Sequence, residues 1–245
     1  MTEIGLSIFT QQKGIAVLID PEKSDNGPKL IRLLELSKFA GVRCVLIGGS
    51  TVTRQQFSAT VSCIRKYSDL PLFIFPGSPE QLSKDVDGLL YLSLLSGRNP
   101  DYLIGQQVLA SQYIEELNIP LLPTAYLLID GGSPSSVAYV SQTQPIPRDQ
   151  IGIAYSTALA GKQLGFKYIY MDAGSGARFS IPGEMIQRVS QIGLPLIIGG
   201  GIRSIDQIES AHDAGAQLVV IGNKLEEDLD FLLDMKAYVE KKTSF

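Results

Sequence analysis

Eight short apolar runs within 245 residues constrain this chain more than any other feature. They are Gly14–Asp20, Cys44–Gly48, Leu72–Phe75, Gly88–Ser93, Thr124–Asp130, Tyr168–Asp172, Leu194–Gly199 and Leu218–Gly222. Each is continuous rather than alternating, and each is bounded by Gly, Pro or Asp. A parallel strand buried on both faces reads this way. The segments between them have helical features. Lys29–Phe39 sets Leu30, Leu33, Leu34 and Ser37 on one stripe, and Asp101–Leu117 and Asp149–Leu164 are each long enough for about four turns. Ser204 reads as the N-cap of a helix over Ile205–Ala214, with Gly215 as its stop. Leu225–Lys241 carries acids first and lysine last, as a helix dipole favours.

Eight strands alternating with helices predict a single α/β domain over residues 1–245, a (β/α)8 TIM barrel. An open doubly wound sheet is the rival, but it usually holds fewer strands in one domain. The third and fourth strands lie close in sequence, so the helix between them is expected to be degenerate. The stretch Gln142–Gln150 holds two prolines. A domain boundary there would leave five strands on one side and three on the other, neither able to close, so it reads as an internal loop.

The formal charge of −4 argues against a broad nucleic-acid surface, which needs clustered Lys and Arg. Cys44 and Cys63 are too few for a disulfide framework. Met1–Lys13 is polar and carries Glu3, so it does not read as a signal peptide, and the longest apolar runs, such as Leu89 to Leu95, are strand-sized, so no transmembrane segment is expected. These features together predict a soluble, cytoplasmic protein.

In a TIM barrel the chemistry sits where the strands end. Glycine is in excess, with 24 copies, and the excess concentrates there. Gly199-Gly200-Gly201 leads into the helix capped by Ser204, and Gly222-Asn223 follows the eighth strand. Loops after strands seven and eight form the common phosphate site of this fold, because backbone amides and a helix N-terminus favour an anion. Tight turns alone are the other explanation of these glycines. Arg203 adds charge to the anion site or serves the surface. After the sixth strand, Gly174-Ser175-Gly176 offers more amides and a hydroxyl. Asp172 there is either a general base for a substrate hydroxyl or a loop cap. Asp20, with Glu22, Asp25 and Ser50 nearby, is either a Mg²⁺ ligand or part of an Asp-Pro turn. No strand-end lysine supports a Schiff base. The only histidine, His212, reads as a solvated surface residue in mid-helix.

Five segments in order carry a resemblance. They are Leu18-Ile19-Asp20-Pro21-Glu22-Lys23, Ile47-Gly48-Gly49-Ser50, Tyr170 through Ala177, Ile198-Gly199-Gly200-Gly201-Ile202-Arg203 and Val220-Ile221-Gly222-Asn223. The chain resembles the geranylgeranylglyceryl phosphate synthase family, which includes heptaprenylglyceryl phosphate synthases, in the branch with an Ala-Gly-Ser-Gly stretch after the sixth strand. The resemblance implies a prenyltransferase that joins sn-glycerol 1-phosphate to a long polyprenyl diphosphate such as geranylgeranyl diphosphate, with Mg²⁺. It implies that Asp20 and Ser50 hold the metal. It implies that Tyr170, Met171, Asp172, Ala173, Gly174, Ser175, Gly176, Gly200, Gly201, Gly222 and Asn223 bind the glycerol phosphate, with Asp172 as the base where the family usually has Glu. Leu89 to Leu95 and Tyr126 are candidates for lining a prenyl groove. The resemblance further implies a homo-oligomer, dimer or hexamer, with Tyr102 at a position linked to assembly, and transient membrane contact for the lipid product. Two rival functions remain: a sugar-phosphate isomerase or epimerase, and a phosphoglycerol-binding protein without turnover.

Overall fold

The structure, a computed structural model, describes Phe9 and residues 13–243. Eight strands close a parallel barrel in sequence order, from β1 (Gly14–Ile19) and β2 (Cys44–Ile47) through β3 (Leu72–Ile74), β4 (Gly88–Leu94), β5 (Leu121–Leu128), β6 (Tyr168–Asp172) and β7 (Leu196–Gly199) to β8 (Leu218–Ile221), which pairs back to β1. The strands are apolar throughout because both faces are covered. Inward residues such as Ala16, Leu46, Phe73, Leu90, Tyr168, Ile197 and Val220 fill the barrel. Outward residues such as Val17, Val45, Ile74, Ile169 and Val219 pack beneath the helices. At the end where the strands begin, Phe9 is fully buried and meets Phe73 and Tyr168 edge-on at 5.1 and 5.7 Å.

The helices are α1 (Pro28–Phe39), α2 (Arg54–Tyr67), α3 (Gln106–Leu117), α4 (Ser136–Ser141), α5 (Ile151–Gln163), α6 (Gly183–Ser190), α7 (Ile205–Asp213), α8 (Asn223–Glu227) and α9 (Phe231–Thr243). Between β3 and β4, residues 75–87 form no helix, as the short spacing predicts. Their anchor is Gln81, fully buried, whose amide accepts from Gly77 N–H at 3.0 Å and donates to the Gly49 carbonyl at 2.7 Å. This loop lies so close to the end of β2 that a Cβ on Gly48 would stand 1.8 Å from the Phe75 carbonyl oxygen. Ser204 caps α7 by accepting from Gln207 N–H at 3.3 Å, and Gly215 follows its end with φ +110°.

Three expectations change. The segment Asp101–Leu117 opens with a wide π turn over Asp101–Gly105 before α3 begins. The segment Leu225–Lys241 is divided into α8 and α9, because Asp228 turns extended and its carboxylate accepts from Asp230 N–H. His212 is not a solvated surface residue. It is 1% exposed, on the inward side of α7 with Ile208 and Ala211. Its ring bonds the Tyr238 hydroxyl of α9 at 2.8 Å and the Gly14 carbonyl at 3.0 Å, tying both to the first strand.

Candidate functional site

Two clefts open at the carboxyl ends of the strands. The first is polar. Asp20, Gly49, Ser50, Tyr170, Asp172, Gly174, Ser175, Gly176, Gly200, Gly201, Arg203, Gly222 and Asn223 line it. Met171 and Ala173 of the expected set lie beside it, buried in the outer core under the helices. The structure thus brings the segments named from sequence to one place.

Its floor is built from the last turns of β6, β7 and β8. Gly200 has φ +80°, and a Cβ there would stand 2.7 Å from both Ala173 N and the Asp172 carboxylate. Only glycine allows the β7 loop to lie against the β6 loop this closely. Asn223, at the start of α8, spans the cleft. Its Oδ1 accepts from Gly176 N–H at 2.9 Å and from the Ser175 hydroxyl at 3.2 Å, so it holds the sixth and eighth loops together. Arg203 reaches the wall, where the Glu227 carboxylate pairs with it at 3.2 Å.

Asp172 is 7% exposed and fully engaged. Its Oδ1 accepts from Gly174 N–H at 2.8 Å and its Oδ2 from the Tyr126 hydroxyl at 2.6 Å. Burial raises its pKa above the ordinary value of 3.8, while these two donors pull it down. Burial, and then the Asp172 charge, push the Tyr126 phenol well above 10.0. Sequence reasoning missed this pairing, because the partners lie 46 residues apart. Strand register was the available signal. Tyr126 pairs with Tyr170 and Leu128 with Asp172, so Tyr126 and Asp172 share a face two steps apart on neighbouring strands.

Asp20 lies on the opposite wall. Its Oδ1 accepts from Glu22 N–H at 3.0 Å. Burial raises its pKa, Glu22 N–H and Lys23 lower it, and the charges of Glu22 and Glu226 raise it further. Its Oδ1 is 2.8 Å from where a Gly49 Cβ would stand, which sets it against the loop that carries Ser50. Of the other acids considered, Glu22 accepts from the Thr51 hydroxyl and Asp25 from Gly27 N–H. No cluster of three or more His, Cys, Asp or Glu able to hold a metal occurs among the described residues. One acid beside a hydroxyl is a poor cage for zinc. It fits Mg²⁺, which keeps water and substrate phosphate oxygens among its ligands.

The second cleft is an apolar groove. It is lined by Phe75, Pro76, Pro79 and Leu82 of the helix-free loop, Leu89, Tyr91, Leu92 and Leu94 of β4, Ala110 and Ile114 of α3, and Tyr102, Tyr126 and Val140. The groove occupies the sector where a helix between β3 and β4 would otherwise lie. Tyr102 is half-buried and its hydroxyl donates to the Val140 carbonyl at 3.4 Å. The two clefts share Gly49, Ser50, Phe75 and Val137. Among the described residues, no helix is long and apolar enough to cross a membrane.

Comparison with known proteins agrees with this geometry. The PcrB family model matches residues 9–241. A geranylgeranylglyceryl phosphate synthase of Chitinophaga pinensis is 44% identical over 224 residues, which cover 91% of this chain and 88% of the relative. One from Methanopyrus kandleri is 39% identical over 219 residues, 89% of this chain and 90% of the relative. The crystal structure of (S)-3-O-geranylgeranylglyceryl phosphate synthase from Thermoplasma acidophilum, in complex with sn-glycerol-1-phosphate, superposes with a TM-score of 0.89 at 32% identity over 98% of each chain. Fold and whole-length similarity agree, and the chain belongs to the PcrB family, among the geranylgeranylglyceryl phosphate synthases that its five strand-end segments resemble.

Proposed function

We propose that this chain is a prenyltransferase that joins sn-glycerol 1-phosphate to a long prenyl diphosphate, geranylgeranyl diphosphate being the expected donor, and releases diphosphate. One observation carries the reading: a polar cleft and an apolar groove meet at Ser50 and Phe75. A substrate with an anionic head and a long hydrocarbon tail needs that junction. A sugar-phosphate isomerase needs only the polar cleft and leaves the groove unexplained.

Glycerol phosphate occupies the polar cleft, its phosphate against the backbone at Gly176, Gly200, Gly201, Gly222 and Asn223. Tyr170, Ser175 and the neighbouring backbone of Met171, Ala173 and Gly174 shape the wall beside the glycerol. Asp172 accepts the proton of the attacking hydroxyl. The prenyl tail lies along Leu82, Leu89, Tyr91, Ala110 and Ile114, out of water, and places its first carbon at the junction. Asp20 and Ser50 would hold Mg²⁺. When bound, that ion neutralises the diphosphate and makes it a better leaving group. The free thiols of Cys44 and Cys63 support a cytoplasmic setting. The exposed apolar side chains Ile104, Val108, Leu109 and Tyr113 support assembly as a homo-oligomer. A monomeric mass by light scattering would remove that part.

The test is incubation with labelled glycerol 1-phosphate, Mg²⁺ and prenyl diphosphates of graded length. Label passes into the organic phase, and Asp172→Ala abolishes this while keeping glycerol phosphate binding. No organic-soluble product with any tail would overturn the reading.

A further inference from the structure

The hydrogen bond between Tyr126 and Asp172 crosses the wall that separates the two clefts. Tyr126 faces the apolar groove and Asp172 the polar cleft. Their contact of 2.6 Å is the length of a charge-assisted O–H···O⁻ bond. The phenol has little freedom. Its ring packs edge-on against Phe75 at 5.8 Å and tilted against Tyr170 at 5.6 Å, and the residue is 4% exposed. The carboxylate is equally confined, with Oδ1 on Gly174 N–H and Gly200 behind it.

We infer that Tyr126 is a positioning residue for prenyl transfer: its hydroxyl locks the Asp172 carboxylate at the junction of the clefts, facing the place where the glycerol hydroxyl meets the allylic carbon. This rests on the prenyl-transfer reading above. In the step, the bond from the allylic carbon to the diphosphate oxygen breaks and its electron pair leaves with diphosphate. The glycerol oxygen bonds that carbon, and the hydroxyl proton passes to Asp172. Tyr126 keeps its own proton, since its phenol ionises only far above neutral pH. The bond also favours the ionised carboxylate, because Tyr126 donates to it.

Other groups around Asp172 do not duplicate this role. Tyr170 stands beside it on β6 and the end of β7 presents only Gly199 and Gly200. Across the cleft lie Asp20, Glu22, Lys23, Arg203, Lys224 and Glu226, none of which hydrogen-bonds it. The Tyr126 hydroxyl is therefore the side-chain donor that holds it.

Tyr126→Phe removes that hydroxyl and leaves the packed ring. The expected result is a fall in kcat of about 10- to 100-fold, the usual effect of losing a hydrogen bond to a charged group, with KM for glycerol phosphate changed less than about threefold. With its donor gone, Asp172 takes up protons more readily, so the acid limb of the kcat profile moves to higher pH. A second variant tests the sign without removing any atom of the bond. Fluorotyrosine at 126 is a stronger donor and moves the acid limb to lower pH.

Activity of Tyr126→Phe within about twofold of the parent, with an unmoved acid limb, overturns the inference while product formation by the parent still stands. If the parent forms no product at all, this inference falls together with the reading beneath it.

Discussion

Replacing Gly200 with alanine separates backbone strain from close approach. Gly200 and Gly193 have nearly the same φ, +80° and +79°, but different surroundings. A Cβ at 193 meets nothing within 4 Å, whereas at 200 it stands 2.7 Å from Ala173 N and from Asp172 Oδ1, and 2.8 Å from Gly174 N. Left-handed backbone costs an alanine about 1–2 kcal/mol at either site. Crowding in a packed region adds about 1–3 kcal/mol at 200 alone. Gly193→Ala should therefore lower stability by about 1–2 kcal/mol and Gly200→Ala by about 2–5 kcal/mol. For a chain of this size that is a Tm fall of about 2–8 °C against about 4–20 °C. Activity should diverge further. The new methyl pushes on the carboxylate and on both neighbouring amides, and a displacement of this kind costs about 100-fold in kcat/KM. Gly193→Ala should keep parental activity. The assays are thermal melting and steady-state kinetics on both variants. Equal melting losses and equal kinetics would refute the argument that approach distance, rather than φ, makes Gly200 necessary.

Three further outcomes follow from the site. Asn223→Ala unties the sixth and eighth loops and should raise KM for glycerol phosphate about tenfold with little change in Tm; a change under twofold counts against the tie. Asp20→Asn should raise the Mg²⁺ concentration for half-maximal activity at least about tenfold while leaving glycerol phosphate binding intact, measured by metal titration of the rate and by calorimetry. His212→Ala removes the buried ring together with its bonds to the Gly14 carbonyl and the Tyr238 hydroxyl and should cost about 2–4 kcal/mol, read by denaturant unfolding, with kinetics unchanged below the transition.

The strands were legible because burial on both faces writes itself into composition: Tyr168–Asp172 matches β6 residue for residue. Strand ends were legible because turns there demand Gly, Pro or Asp, and those ends proved to be the polar cleft. Helix α2 had a readable signal that composition alone obscures. Thr53 and Gln56 form a capping box, with each side chain bonded to the other's backbone. His212 was misread for a physical reason. Its neighbours Glu209 and Asp213 give a polar local window, while the groups that bury it come from residues 14 and 238. The Tyr126–Asp172 bond was hidden in the same way, since it exists only once β5 and β6 are in register.

The absent helix between β3 and β4 leaves Tyr91 and Leu92 only partly buried along the groove, beside the buried Leu89. Elsewhere around the barrel the cover over the strands comes from the chain itself. In this sector, on the proposed reading, a prenyl tail would complete it, so the donor would act as a removable piece of the hydrophobic core as well as a reactant. Its binding energy then adds to folding stability in proportion to its concentration. Tail binding should slow local opening of β4 and the 75–87 loop, a coupling between substrate supply and the lifetime of the enzyme.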